Sequence, residues 1–320
     1  MKIILAGGSG QIGTILARQF PANGHEVVVL SRGGSHAPAQ CRTMAWDGES
    51  NGTWTHEFDN ADVIINLAGR SVNCRYNAAN RQLIMDSRLR STQAVGDAIR
   101  NAVPRSRVWL QMSTATIYAH RFDSPNDEGT GILGTVNDTV PETWRFSHDV
   151  ALSWERAANA IETPRTRKVL LRSAIVMSPD AGGPFDILMG LVRRGLGGRN
   201  GSGKQYVSWI HERDFVRAID WIIEHPGLNG PVNLAAPKPL PNEDFMAALR
   251  TAAGARIGLP ATNWMLEIGA RFLNTETELI LKSRRVVPGR LLDSGFTFQL
   301  PNWPTAAIDL YQRWAAAQKK

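Results

Sequence analysis

An α/β fold, a doubly wound parallel sheet with a smaller, mostly helical C-terminal lobe, is predicted by three features of this sequence. Short apolar runs alternate with helical patterns through the first half of the chain. A glycine-rich turn follows the first run and opens the first helix. After Val176 the texture changes to glycine-crowded loops and then helices. Strand and helix in alternation favour parallel pairing, because a parallel strand needs a crossover that a helix supplies. At 320 residues, 43% hydrophobic and 20% charged, the chain can bury a large core, and disordered and fibrous classes are excluded.

The elements follow in order. Lys2 to Ala6 is the first strand. Gln11 to Phe20 is a helix stopped by Pro21 and Gly24. Glu26 to Leu30, Arg42 to Ala45 and Asp62 to Leu67 are the next strands. Ala78 to Asn101 is a long helix ended by Pro104. Val108 to Met112 is the fifth strand, Thr143 to Ile161 a helix, and Lys168 to Val176 the sixth strand. Beyond the glycines of 182–203, Gln205 to Ile210 is a strand, Glu212 to Glu224 a helix and Val232 to Leu234 a short strand. Helices then cover Asn242 to Ala253, Asn263 to Leu273, Glu276 to Arg284 and Pro304 to Ala317. No repeat and no Ser- or Pro-rich linker appears, so the lobes are expected to interweave. Residues 1–176 and 206–236 form the nucleotide-binding domain; 177–205 and 237–320 form the substrate side.

Charge and composition narrow the function. The net charge is +7 and the pI about 9.8, but the basic residues are scattered, as pairs such as Arg193-Arg194 and Arg284-Arg285. No basic helix interleaved with aromatics occurs, so an anionic small molecule explains the sign better than nucleic acid. Two cysteines, Cys41 and Cys74, exclude a disulfide scaffold, and no HExxH or paired-Cys pattern points to a metal. No apolar run approaches a membrane span and the N-terminal one is too short for a signal core, so a cytoplasmic monomer or homodimer is expected.

The nucleotide site is the most specific local signal. Gly7-Gly8-Ser9-Gly10-Gln11-Ile12-Gly13 joins the first strand to the first helix. Its glycines permit a tight turn, close backbone approach to a pyrophosphate and helix packing on strand, and the helix N-terminus offers amide donors. This is the Rossmann-type arrangement. The second strand ends Ser31-Arg32 where an NAD enzyme needs a carboxylate for the ribose hydroxyl, so a 2′-phosphate and hence NADP(H) are expected. Leu67-Ala68-Gly69 ends the fourth strand with small residues that let the cofactor lie near the backbone. Asp47 either meets the adenine or serves its turn. Arg88 falls in the apolar stripe of Ile84, Val95 and Ile99, so it either faces the ligand near the nicotinamide or forms a buried ion pair or dimer contact.

The GxxGxxG spacing of Gly7, Gly10 and Gly13 resembles that of short-chain dehydrogenase/reductases. Gln111-Met112-Ser113-Thr114-Ala115-Thr116-Ile117-Tyr118 is similar to the active-site segment of the extended branch, the sugar-nucleotide epimerases and dehydratases. The resemblance implies that Thr114 bonds the substrate oxygen. It also implies a Tyr-x-x-x-Lys pair, in which the lysine lowers the tyrosine pKa. No such pair exists: residues 76, 118, 206 and 311 are the tyrosines, and Asn80, Phe122, Ile210 and Ala315 lie four further on. Phe146 and Val150 take the two places, leaving Tyr118, His148 or water for proton transfer.

Further motifs, Ser87-Arg88, Trp154-Glu155, Leu171-Arg172-Ser173, Gly197 to Gln205 and Ser208-Trp209-Ile210-His211, resemble the epimerase-like subfamily of bacterial YfcH-type proteins and the human family 39U member. Arg172, Gln205, Trp209 and His211 are the substrate-side candidates; His211 is equally suited to a structural bond. Gly198 to Lys204 mimics a phosphate loop, but Gln205 replaces the Ser or Thr and a strand follows, so an ATPase is excluded. A mobile loop over the substrate, or a plain surface loop, remains. The leading reading is an NADP(H)-binding, epimerase-like oxidoreductase; the alternative is a non-catalytic NADPH-binding sensor or interaction protein.

Overall fold

The computed structural model describes residues 1–33, 38–104, 106–134, 140–272 and 276–318. The first half runs β1 (Lys2–Ala6), α1 (Gln11–Ala22), β2 (Glu26–Ser31), β3 (Arg42–Ala45), β4 (Val63–Asn66), α2 (Ala78–Asn101), β5 (Val108–Thr114), α3 (Glu142–Ala160) and β6 (Arg167–Ser173). The second half runs β7 (Ile175–Met177), α4 (Pro184–Arg193), β8 (Tyr206–Val207), β9 (Trp209–His211), α5 (Glu212–Glu224), β10 (Gly230–Leu234), β11 (Leu240–Pro241), α6 (Asn242–Ala253), α7 (Asn263–Phe272), α8 (Glu278–Leu281), α9 (Gly289–Asp293) and α10 (Trp303–Ala317).

Seven parallel strands form the central sheet in the order β3-β2-β1-β4-β5-β6-β10. The order reverses between β1 and β4, which opens a crevice at their C-terminal ends, the place where such sheets take ligands. Side chains alternate across the pleat. Ile3, Leu5, Val27 and Val29 face a core shared with α1 and α5, while Ile4, Val28, Ile64 and Trp109 face α2 and α3. A third core of Met177, Phe185, Trp209, Phe245, Trp303 and Leu310 holds the C-terminal lobe together. The predicted doubly wound fold is the one observed.

Several boundaries differ for physical reasons. The predicted sixth strand divides at Ala174, whose N–H turns to Leu234 O at 2.9 Å, and β7 pairs with β9 outside the main sheet. Gln205 to Ile210 divides at Ser208, whose hydroxyl donates to Arg284 O and accepts from Val286 N at 2.8 Å. Pro21 lies within α1 rather than stopping it; near a helix end a proline forfeits few bonds. α4 fills part of the segment expected to be loop, and α8 is shorter than predicted. Leu273, expected to end α7, lies outside the described residues.

Candidate active site

The phosphate loop is built by steric necessity. Gly7 has φ +76°, a conformation that favours glycine, and a Cβ there would stand 2.6 Å from Ala68 Cα. A Cβ on Gly13 would stand 2.3 Å from Gly8 O, so α1 reaches the turn only because residue 13 has no side chain. Gly10, the N-cap of α1, differs: a Cβ on it meets nothing within 4 Å. No side chain caps α1, and its first turn carries no acid, so the amide end faces open space beside Ser9, which is exposed. Ile12 packs against the core below, and Gln11 ties the loop to β7, donating to Val176 O at 3.2 Å.

Opposite this loop, β4 ends in a turn fixed by Asn66, whose Oδ1 accepts from Ala68 N at 3.1 Å. Leu67 N donates to Ala6 O at 2.8 Å, keeping Leu67, Ala68 and Gly69 close to β1. Arg88 stands next to Gly69, where an added Cβ would lie 3.3 Å from its Cζ. The guanidinium donates to Arg70 O and Ile84 O, each at 3.0 Å, and lies 4.9 Å from the Trp154 ring centroid. Among the described residues no carboxylate pairs with Arg88. Burial lowers its pKa to about 10, which leaves it charged near neutral pH. At the end of β2, Ser31 is buried and Arg32 is exposed. Asp47 holds its own turn: its Oδ1 accepts from Glu49 N and Ser50 N at 2.9 and 2.8 Å.

Thr114 ends β5, half-buried, and its Oγ1 accepts from Thr116 N at 3.1 Å. Because that bond uses a lone pair, the hydroxyl proton is left to donate elsewhere. Behind the turn is a polar cluster that sequence reasoning did not assemble. Lys282 Nζ donates to Thr116 O at 2.8 Å and contacts His148 Nε2. Arg284 Nε donates to Thr116 Oγ1 at 3.3 Å. Glu278 lies 3.8 Å from both cations and accepts from the Ser147 hydroxyl. Burial, with Arg284 nearby, pushes Lys282 down to about 7 against the pull of Glu278. Burial and Lys282 push His148 down to about 4. The available signal was a charged Glu278-x-x-x-Lys282-x-Arg284 set interrupting an apolar run.

The other candidates are placed in structural roles. Tyr118 is 2% exposed; its hydroxyl donates to Asn233 Oδ1 and accepts from Arg172 Nη1, both at 2.9 Å. Arg172 also makes two 2.8 Å bonds to Glu155. Gln205 donates to Asn200 O and Ile280 O, bracing the glycine loop. Trp209 is fully buried against Trp303, 4.8 Å between ring centroids, and so lies in the lobe's core instead of lining a pocket. His211 is fully buried: its Nδ1 accepts from Arg213 N and caps α5, and its Nε2 meets Asp309 at 3.1 Å. Phe146 and Val150, in the expected Tyr and Lys places, join an apolar cluster with Tyr76 and Ile84.

Residues 3–235 match the NAD dependent epimerase/dehydratase family, and residues 261–310, which carry the Lys282 cluster, match a domain of unknown function, DUF1731. The chain belongs to the NAD-dependent epimerase/dehydratase family. This epimerase family chain is 32% identical over 303 residues to an epimerase family protein of Mycobacterium bovis, covering 92% of this chain and 93% of the relative. It is 30% identical over 305 residues to epimerase family protein SDR39U1 of Bos taurus, covering 94% and 96%. Human SDR39U1, crystallised with NADPH, superposes with a TM-score of 0.82 at 26% identity, covering 98% of this chain and 99% of that one. UDP-N-acetylglucosamine 4-epimerase from Bacillus cereus superposes with a TM-score of 0.72 at 13% identity, covering 98% and 99%, a likeness of fold. The resemblance to the extended branch, carried by the glycine spacing and the Thr114 segment, and to the epimerase-like subfamily with the family 39U member, carried by the further motifs, is thus borne out. No described helix is long and apolar enough to cross a membrane.

Proposed function

We propose that this chain is an NADP(H)-binding, epimerase-like oxidoreductase acting on a small molecule that bears an alcohol or carbonyl. The observation that carries the reading is the open space over Gly10, at the N-terminus of α1 and at the point where the strand order reverses. A dinucleotide fits there: Gly7 to Gly13 approach its pyrophosphate, Leu67 to Gly69 lie along it, and Arg88 faces the nicotinamide side. Ser31 and Arg32 receive the 2′-phosphate. The NADPH in the human relative supports this choice. When bound, the nicotinamide would supply hydride chemistry at the carbon bearing the substrate oxygen.

The chain's own contribution is to orient and polarise that oxygen. Thr114 sits at the C-terminal end of β5 with its hydroxyl proton available. Tyr118 is engaged by Asn233 and Arg172, and His148 is 2% exposed, so the Thr114 hydroxyl and water take over proton delivery. A second reading, a non-catalytic NADPH sensor, is favoured by one observation: no tyrosine in the sequence has a lysine four residues on. Calorimetry with both dinucleotides tests the cofactor assignment. NADPH is expected to bind at least about tenfold more tightly than NADH, and Arg32→Ala to remove that preference by deleting a charge-assisted contact. Equal affinities in the wild-type chain would sink it.

A further inference from the structure

The clamp on the Thr114–Thr116 turn comes from the far end of the chain. Lys282, just past α8, is 1% exposed, and its Nζ meets Thr116 O and His148 Nε2. Arg284 holds the Thr116 hydroxyl from the same segment. Thr116 N in turn donates to Thr114 Oγ1. A chain of contacts therefore runs from Lys282 through Thr116 to the hydroxyl assigned to the substrate oxygen. We propose that Lys282 is a positioning residue for the Thr114 hydroxyl, holding the turn through the Thr116 carbonyl most firmly while its amine carries the third proton. The inference rests on the role given to Thr114 above.

The chemistry makes the hold depend on charge. An ammonium donates three protons: here one goes to Thr116 O and the charge faces Glu278 at 3.8 Å, while Nζ also contacts His148 Nε2, which lies 3.2 Å from Tyr118 O. A neutral amine keeps two, loses the attraction of Glu278, and forms weaker bonds, because charge-assisted bonds are about twice as strong as neutral ones. The groups around Lys282 decide which form is present. Glu278 on α8 favours the charged form; Arg284 opposes it. His148 on α3 stays neutral, its own pKa pushed down to about 4. His120, beyond the β5 turn, accepts from Ser283 N, and burial, with Lys282 and Arg284, lowers its pKa. Tyr76 is pushed up to about 12, so it adds no charge near neutral pH. Burial dominates this balance and brings Lys282 to about 7, so the hold loosens as pH rises through neutrality.

Exchange of the Thr116 amide with solvent reads this directly, because that N–H is bonded to Thr114 Oγ1. The measurement is made by NMR on the full chain, corrected for intrinsic pH-dependent rates. In the wild type, protection of Thr116 is expected to fall about tenfold between about pH 6 and pH 8.5, the equivalent of one pK unit of differential interaction. Lys282→Met, of similar length and uncharged, is expected to be unprotected at both. Lys282→Arg, charged throughout, is expected to stay protected at both, a rescue with no pH dependence. Constant wild-type protection across this range would overturn the proposal, as would full protection in a Lys282→Met chain shown to be folded by circular dichroism. If Lys282→Met does not fold, the wild-type series decides alone. Calorimetry of NADPH with the wild-type chain tests the functional reading separately, since failure to bind would overturn that reading without altering Thr116 exchange.

Discussion

Gly10 caps α1 and Gly13 lies in its first turn, and their side chains would meet opposite surroundings. A Cβ on Gly13 strikes the Gly8 carbonyl at 2.3 Å, whereas one on Gly10 enters open space. Gly13→Ala is therefore expected to lower stability by about 2 kcal/mol or more, since backbone must move to admit it. Gly10→Val is expected to lose about 1 kcal/mol at most, the cost of a poorer N-cap, while denying a pyrophosphate the space it needs. Thermal melts and NADPH calorimetry separate the two; a folded Gly10→Val chain that binds NADPH normally would show that the ligand lies elsewhere. Thr114 allows a third substitution. Thr114→Val removes the hydroxyl at nearly constant volume and is expected to slow NADPH oxidation about 10²-fold, the usual effect of deleting one donor to a developing oxyanion. The assay is a carbonyl panel, and a rate unchanged in the variant would refute the role given to that hydroxyl.

Among the elements, those fixed by local pattern were legible and those fixed by distant partners were not. Ala78 to Asn101 and Glu212 to Glu224 were read with their observed bounds, because proline, caps and helical spacing mark both ends. The phosphate loop was legible for the same reason: Gly7 and Gly13 each answer a constraint within a few residues or one neighbouring strand. α4 was hidden by the glycines on either side, although Pro184 at its start and Phe185, Met189 and Val192 at helical spacing were the signal for it. The breaks at Ala174 and Ser208 leave no local trace, since Leu234 and Val286 cause them from 60 and 78 residues away. Lys282 and Thr116 are 166 residues apart, and no period in the sequence pairs them. Tyr118 was read as a site residue from its place in the Thr114 segment, and Arg172 from a motif that resembles the subfamily. The structure instead joins them to each other and to Glu155 and Asn233, a partner set that only the folded sheet brings together.

At the scale of the whole molecule, a seam of ion pairs links α1, α5 and α10. Arg18 on α1 meets Asp180 and Glu212, Glu212 at the start of α5 also meets Arg313 on α10, and Asp309 on α10 meets Arg213, Arg313 and His211. His211 stands at the centre of this seam, fully buried. Burial pushes its pKa down to about 4, though Asp309 pulls the other way. Below the ordinary histidine value of about 6.5, the unfolded chain takes up a proton at this residue that the folded chain refuses until about pH 4. Stability from His211 is thus fully present above about pH 6.5 and is lost as pH falls to about 4. His148 loses stability over the same window. Asp220, raised to about 6 by burial and Glu224, and Glu278, also raised, act in the opposite sense, because the folded chain holds their protons more firmly. The acid profile of the wild type alone therefore mixes cancelling contributions, and a difference between two chains isolates one of them. His211→Asn serves, since an asparagine can still cap α5 through Arg213 N but cannot titrate. Between about pH 7 and pH 4 the variant is expected to gain on the wild type by up to about 3 kcal/mol, the linkage value of the His211 shift. Urea unfolding midpoints at the two pH values check it. A constant difference between the chains would mean that His211 titrates normally in the folded protein, and that the seam between α5 and α10 is open to water.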